Sequence, residues 1–324
     1  MKKISIAALI LASLAIAGEA FIFATHRNDS EEIHRNAIKA HYRVYAPPLP
    51  DSMTFCGERV PLNHYYVRES LDRELVSNMY YQSNTLFVIK RAAHFFPTIE
   101  RVLREEKVPL DMKYLCVIES GLQCVTSPAG AQGYWQFMKS TGQRYGLEIG
   151  DDIDMRNHLE ASTRAACRYL KDLKKRFGGW TEAAAAYNCG EGGLNKRLAS
   201  QRQVSYYELL LNQETQRYVF RILALKLIMQ HPQDYGYYVR RCDTYPEIPT
   251  TEVELNGQNV DLVDFAISHG TTYKVLRLLN PWLTAPTLKN KSGNSYKISI
   301  PIKKGTEYNT IVKGKHDITI IDKI

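Results

Sequence analysis

From about Val67 to Met229, apolar residues recur every three to four positions, the period of one helix face. Leu71, Leu75 and Met79 step at four-residue intervals. Leu86, Ile89, Ala93, Phe96, Ile99 and Leu103 form a second stripe with Arg and Lys between them. Pro97 lies inside that stripe, where a missing N–H starts or kinks a helix. After Val108-Pro109-Leu110 an apolar run predicts a helix that ends at Glu119, and a short helix is expected to carry Trp135, Gln136 and Met138. Ala165, Tyr169, Leu170, Leu173 and Phe177 line a long helix that Gly178-Gly179 terminates. Thr181 is placed to cap the next helix, whose four alanines (183–186) permit close packing. Val219, Leu223 and Leu227 mark a last long helix over 214–229. No strand-like alternation occurs between 67 and 230, so this block is predicted to be all-helical.

His231-Pro232 and Tyr245-Pro246-Glu247-Ile248-Pro249 mark a boundary. Beyond it, 251–255 and 296–300 alternate as strands do, and 262–269 and 273–279 read as two short helices between them. The result is a small βααβ module. The polar tail has one strand candidate, Ile318-Thr319-Ile320-Ile321. At the other end, Met1-Lys2-Lys3 precedes an apolar stretch, Ile4 to Ala17, with Ala15-Ile16-Ala17 as a cleavage site, the pattern of an export signal. The alternative is an uncleaved anchor extending through Phe23, although the run is short for a stable span. The expected organisation is therefore a signal or anchor over 1–22, a partly helical extension over 23–85, and a helical domain over 86–235. A linker over 236–250, the βααβ module over 251–303 and a polar tail over 304–324 complete it.

The length of 324 residues fits two domains, and 44% hydrophobic residues supply a sizeable core. The net charge is +8, but the basic residues are dispersed. The densest cluster, 171–176, falls on a predicted helix and reads as a solvated face. With no zinc-finger spacing, recognition-helix signature or basic–aromatic stripe, a nucleic-acid partner is not expected. Six cysteines, an even number, permit disulfides in an exported chain without fixing a connectivity. Cys116 and Cys167 sit on apolar helices, where buried free thiols are equally at home. No Cys/His grouping matches a metal site, and no cofactor is expected. No cysteine near the cleavage region supports a lipid-modified N-terminus.

Candidate chemistry centres on Glu119, the only acidic residue between Asp111 and Glu148. It ends an apolar run and is followed by Ser120 and Gly121. Desolvation at such an edge favours the protonated carboxyl, which makes a general acid that works near neutral pH. The plain alternative is a surface glutamate at a helix end. Three further segments join it: Ser127-Pro128-Ala129-Gly130-Ala131-Gln132-Gly133-Tyr134-Trp135-Gln136-Phe137-Met138, Ala186-Tyr187-Asn188-Cys189-Gly190-Glu191-Gly192, and Gln213-Glu214-Thr215-Gln216-Arg217-Tyr218-Val219.

In that order and spacing the four segments resemble the catalytic domain of Slt-type lytic transglycosylases over about 108–229. The Tyr-Trp-Gln centre is similar to that of the membrane-bound lytic murein transglycosylase D group. The resemblance implies a lysozyme-like helical fold and Glu119 as the catalytic acid/base. It also implies Ser127 and Gln136 as groove residues, Tyr187 close to the acid beside Asn188, and Glu214 and Tyr218 as the acidic residue and aromatic partner of the fourth motif, Glu214 not being a second catalytic carboxylate. Ser120 contacts substrate or simply bonds its own backbone. Trp135 is read as core, and Cys189, where the family commonly has a small residue, as packing.

The implied substrate is peptidoglycan, cleaved between N-acetylmuramic acid and N-acetylglucosamine to leave a 1,6-anhydro end. Most glycosidases pair two carboxylates; here the substrate brings its own nucleophile and one suffices. The competing readings are a hydrolase like goose-type lysozyme and a catalytically silent wall-binding scaffold. The C-terminal module resembles a LysM glycan-binding domain, though its opening lacks the usual Gly-Asp-Thr turn and Pro281-Trp282 follows Asn280. The resemblance and the N-terminal pattern together imply an exported protein of the periplasm or cell envelope, with membrane association through the N-terminus if the signal is retained. No protein partner is implied.

Overall fold

The computed structural model describes residues 32–33, 35–36, 44–291, 293–311 and 319–321. The export segment expected over 1–22 lies outside them. The chain divides into two units, Met1–Ala46 and Pro47–Ile324, and the following concerns the second.

A short hairpin opens it, β1 (Thr54–Phe55) and β2 (Glu58–Arg59). Its turn is Cys56-Gly57, both at positive φ, as a two-residue hairpin requires. Then come α1 (Tyr65–Tyr80), α2 (Gln82–Glu105), α3 (Lys113–Ser120), α4 (Lys139–Arg144), α5 (Leu159–Phe177), α6 (Trp180–Cys189), α7 (Glu191–Gln201) and α8 (Gln213–Gln230). α8 is the central element. From Tyr218 to Met229 every residue except Arg221 is buried. A helix buried on nearly all sides must be surrounded by others, and α1, α3 and α6 pack on it. α5 packs on α2 and α6.

Two polar ties fix α8 to its surroundings. The fully buried Glu74 of α1 accepts from Arg217 Nε at 2.7 Å and Nη2 at 3.1 Å. The Lys226 amine donates to the Thr54 carbonyl and to Asp111, both at 2.6 Å, and Asp111 also accepts from the Cys56 N–H. Both charges are thus paired and hydrogen-bonded, the condition on which burial of ions depends.

The helical block follows the sequence periodicity, with three differences. No helix starts at Pro97; α2 already runs through it from Gln82, and Phe96, Ile99, Val102 and Leu103 beside and beyond it are all buried. Thr181 does not cap α6. The N-cap is Gly179, and the cap is supplied from the hairpin: Glu58 accepts from the N–H groups of Trp180 (2.6 Å) and Thr181 (2.9 Å) and from the Thr181 hydroxyl. Trp135, Gln136 and Met138 are not on a helix; α4 starts only at Lys139. Gly133 (φ +81°) and Gln136 (φ +48°) take left-handed backbone, which a right-handed helix excludes. The segment is instead a tight loop with bridges Thr126↔Gln132 and Gln132↔Phe137. Trp135 is core, as its size suggests, and its indole donates to the Thr163 hydroxyl at 2.9 Å.

The C-terminal part runs β3 (Thr250–Leu255), β4 (Val260–Asp261), α9 (Leu262–Ser268), α10 (Tyr273–Leu279), β5 (Thr287–Leu288) and β6 (Tyr296–Pro301). β3 pairs antiparallel with β6 from Thr250↔Pro301 to Leu255↔Tyr296. Asp261 and Thr272 cap the two helices with their side chains. The expected βααβ module is therefore present. Leu262, Ala266, Leu276, Trp282, Leu283, Leu288 and Ile298 form its core. A short α11 (Tyr308–Ile311) follows. The strand expected over 318–321 is a single bridge, Arg240↔Ile320, within its described part. Among the described residues no helix is long and apolar enough to cross a membrane.

Candidate active site

α3 is eight residues long, and Lys113 to Val117 are all buried. Gly121 ends it in the left-handed conformation (φ +58°), with its N–H on the Val117 carbonyl. Glu119 stands in the last turn, on the side that meets α8. There the hydroxyl of Tyr218, a residue only 2% exposed, donates to Glu119 Oε1.

Burial pushes the Glu119 carboxyl up from the usual range to about 7. The Tyr218 hydrogen bond and the positive charge of Arg221 work against that rise, and the negative charge of Glu214 adds to it. Tyr187 of α6 completes the surroundings. Burial, and then the charge of Glu119, push its phenol well above the ordinary tyrosine value. The Tyr187 hydroxyl donates to the Trp135 carbonyl at 2.7 Å, which joins α6 to the 125–137 loop.

The other sequence-predicted residues are placed less uniformly. Asn188 accepts from the Thr215 hydroxyl at 3.0 Å, tying the end of α6 to the start of α8. Gln136 spends its amide hydrogens on the carbonyls of Val125 (2.9 Å) and Gly133 (2.8 Å), so it shapes the loop that carries it. Ser127 accepts from the Ala131 N–H at 3.0 Å across the tip of the same loop. Ser120 is buried. Its hydroxyl donates to the Cys116 carbonyl at 3.3 Å, the local backbone bond that serine favours in a helix. Glu214 lies exposed at the start of α8, 3.5 Å from Arg221.

Two features were not singled out from sequence. One is Arg221, three residues beyond Tyr218 and so on the same face of α8; its guanidinium lies 5.8 Å from the Tyr218 ring centre. The helical offset from the fourth motif was the available signal. The other is the pair Asp154 and Arg156. Arg156 is 8% exposed, donates to both oxygens of Asp154, and sends Nη1 to the carbonyls of Gly130 (3.2 Å) and Phe137 (3.1 Å). Asn157 adds an acceptor for Gln132 Nε2 at 3.1 Å. The 125–137 loop is therefore held by the 154–157 segment. Gly133 lies directly against that segment: a Cβ there would lie 1.9 Å from the Arg156 carbonyl oxygen.

All six cysteines are free thiols, and Cys116 and Cys167 are fully buried. Among the described residues no group of three or more His, Cys, Asp or Glu could hold a metal ion. Cavities of about 400 and 330 Å³ lie beside the C-terminal end of α8 and beside the start of α6; Glu119 lines neither.

The arrangement offers one proton donor with a near-neutral pKa, held by a phenol. Substituting Tyr218→Phe removes a bond that favours the carboxylate, so the Glu119 pKa is expected to rise above about 7. A ¹³C carboxyl titration reads this directly, and an unchanged midpoint would refute the assigned bond.

Residues 99–210 match the transglycosylase SLT domain, and residues 251–304 match the soluble lytic transglycosylase C-terminal LysM-like domain. The chain carries an SLT transglycosylase domain followed by a LysM-like domain. Membrane-bound lytic murein transglycosylase D of Escherichia coli strain K12 is 31% identical over 265 residues, which is 79% of this chain and 57% of that protein. The same figures hold for membrane-bound lytic murein transglycosylase D of E. coli O6:H1 strain CFT073. This chain spans somewhat more than half the length of those relatives. The SLT match takes in Glu119, Ser120, Ser127, Gln136, Tyr187 and Asn188, and Glu214 and Tyr218 follow just beyond its end.

Proposed function

We propose that the chain is a peptidoglycan lytic transglycosylase that cleaves the glycosidic bond between N-acetylmuramic acid and N-acetylglucosamine without consuming water. What carries this reading is the Glu119 carboxyl, raised to about 7 by burial and hydrogen-bonded by Tyr218, within an SLT domain. Protonated Glu119 donates to the bridging oxygen as the bond from that oxygen to C1 of the muramoyl sugar breaks. The electron pair leaves with the oxygen, and the new Glu119 carboxylate faces an electron-poor C1. That carboxylate then takes the proton from the C6 hydroxyl of the same sugar, whose oxygen bonds to C1. The products are an N-acetylglucosamine hydroxyl and a 1,6-anhydro ring, and Glu119 is again protonated.

One carboxyl suffices because the nucleophile belongs to the substrate. An intramolecular attack of good geometry saves about 7–11 kcal/mol in the best systems. A donor pKa near the working pH is what acid–base catalysis in both directions requires. The Tyr218 hydroxyl orients Glu119 and supports its charged form midway through the cycle. Tyr187 and Asn188 line the same side, and Ser127 and Gln136 place the opposite loop along the glycan. Ser120 and Glu214 are assigned supporting parts, the first inside α3 and the second through its charge on Glu119 and Arg221.

The apolar N-terminal segment and the membrane-bound relatives support an exported protein of the cell envelope. Mass spectrometry of sacculi digested with the purified chain tests the reaction. Anhydro-muramoyl ends are expected. Reducing ends would instead make it a hydrolase, and bound sacculi with no released product would make it a scaffold.

A further inference from the structure

The LysM-like module is joined to the helical domain by more than a linker. Residues 148–155 form a narrow turn closed by the bridge Ile149↔Asp154, and its far edge pairs with the module through Ile153↔Leu283. The Asp154 N–H donates to the Trp282 carbonyl at 2.8 Å, and the Thr284 N–H donates to the Asp152 carbonyl at 2.9 Å. The Asp152 carboxylate accepts from the backbone of Lys289 (2.7 Å) and Asn290 (3.2 Å), and the Tyr296 hydroxyl bonds Glu148 at 3.0 Å. Ile153, only 2% exposed, is counted among the module's own core residues.

The same turn carries the carboxylate that holds Arg156. A continuous path thus runs from the Trp282 carbonyl to the Asp154 N–H, from the Asp154 carboxylate to the Arg156 guanidinium, and from there to the carbonyls of Gly130 and Phe137. The loop at its end bears Ser127 and Gln136, and its Trp135 carbonyl receives the hydroxyl of Tyr187. A module that served only as a tethered wall anchor would need none of these bonds.

We infer that the LysM-like module is a fixed brace for the glycan groove, with Asp154 and Arg156 as positioning residues that transmit its support to the 125–137 loop. The kinetic part of this inference rests on the function proposed above; the mechanical part does not. Guanidinium geometry matters here, because a lysine cannot grip a carboxylate with two bonds and also reach two carbonyls.

The test compares full-length wild type, Ile153→Asp and Arg156→Lys. Ile153→Asp places an unpaired carboxylate in the module's core and expels the turn. Arg156→Lys leaves that docking intact and loosens only the loop, so it stands if the first variant misfolds. Both are expected to raise KM for soluble glycan strands about tenfold or more, with a smaller change in kcat, because groove residues are displaced while Glu119 is not. Amide exchange at Gln132, Gly133 and Phe137 is expected to speed up about tenfold, with the α8 amides still protected. Wild-type KM in folded variants, or loop exchange at the wild-type rate, overturns the brace, even if both proteins melt at lower temperature. A wild-type chain that cleaves no glycan but whose loop exchange responds to Ile153→Asp would sink the enzymatic reading and leave the brace standing.

Discussion

Glu119→Gln is expected to lower glycan cleavage by at least about 10³-fold while the protein stays folded, since general acid–base steps contribute about 10²–10⁴-fold. An amide keeps the shape and can accept from Tyr218, but it cannot deliver a proton to the bridging oxygen or take one from the C6 hydroxyl. Turnover of digested sacculi measures the loss. A purified variant with normal turnover would remove Glu119 from the mechanism.

The pH dependence follows from the same carboxyl. With its pKa near 7, the free enzyme holds the required proton below about pH 7, and kcat/KM is expected to fall above it. Stability carries a linked signature. The folded state binds a proton that the unfolded chain releases from about 4.5 upward, so stability declines between about pH 4.5 and 7 and levels off above. The cost at alkaline pH is at most about 3.5 kcal/mol. Glu119→Gln lacks it, so the variant is expected to melt above wild type at pH 8 and to lose this advantage near pH 4. Thermal melts at the two pH values decide it, and parallel curves would count against the buried carboxyl.

Gly133→Ala is the second large effect. The left-handed φ of +81° already disfavours any side chain, and the added carbon would meet the Arg156 carbonyl carbon at 2.5 Å and its oxygen at 1.9 Å. Every atom it would meet is backbone of Arg156 or Asn157, which leaves no flexible side chain to give way. The loop must open, and its bonds to Arg156, Val125 and Asn157 go with it. A loss of about 3 kcal/mol or more is expected, at the upper end for single substitutions. Activity, read as kcat/KM, should fall about 100-fold even well below the melting point, because a glycan that the loop places about 1 Å off forfeits that much. Calorimetry and a turnover assay check the two parts separately, and wild-type melting would show that the close approach is not real.

Much of this was legible in the chain. The three-to-four-residue apolar period gave α1, α2, α5 and α8, since burial on one face leaves that trace in any helix. The alternation at 251–255 and 296–300 gave β3 and β6 for the matching reason in strands. Glu119 announced itself as one carboxylate at the end of an apolar run. What remained hidden has a common cause. Glu58 caps α6 from more than a hundred residues away, and Asp154 and Arg156 look like ordinary loop charges until Gly130 and Phe137 are brought beside them. Nothing local tells that Ile153 belongs to the module's core. The expected helix at Trp135 failed because Gln136 adopts a left-handed backbone that its residue type does not advertise, and only Gly133 hinted at the turn.

Glu119 occupies the last turn of a helix only eight residues long. Unpaired carbonyls at such an end carry a partial negative charge, worth about 0.3–1 kcal/mol against a nearby anion. That dipole repels a glutamate in its ionised form and spares it when neutral. The orientation of α3 therefore adds to the tendency of this side chain to keep its proton, and the same glutamate presented from a helix N-terminus would be ionised at a lower pH and have no proton left to give near neutrality.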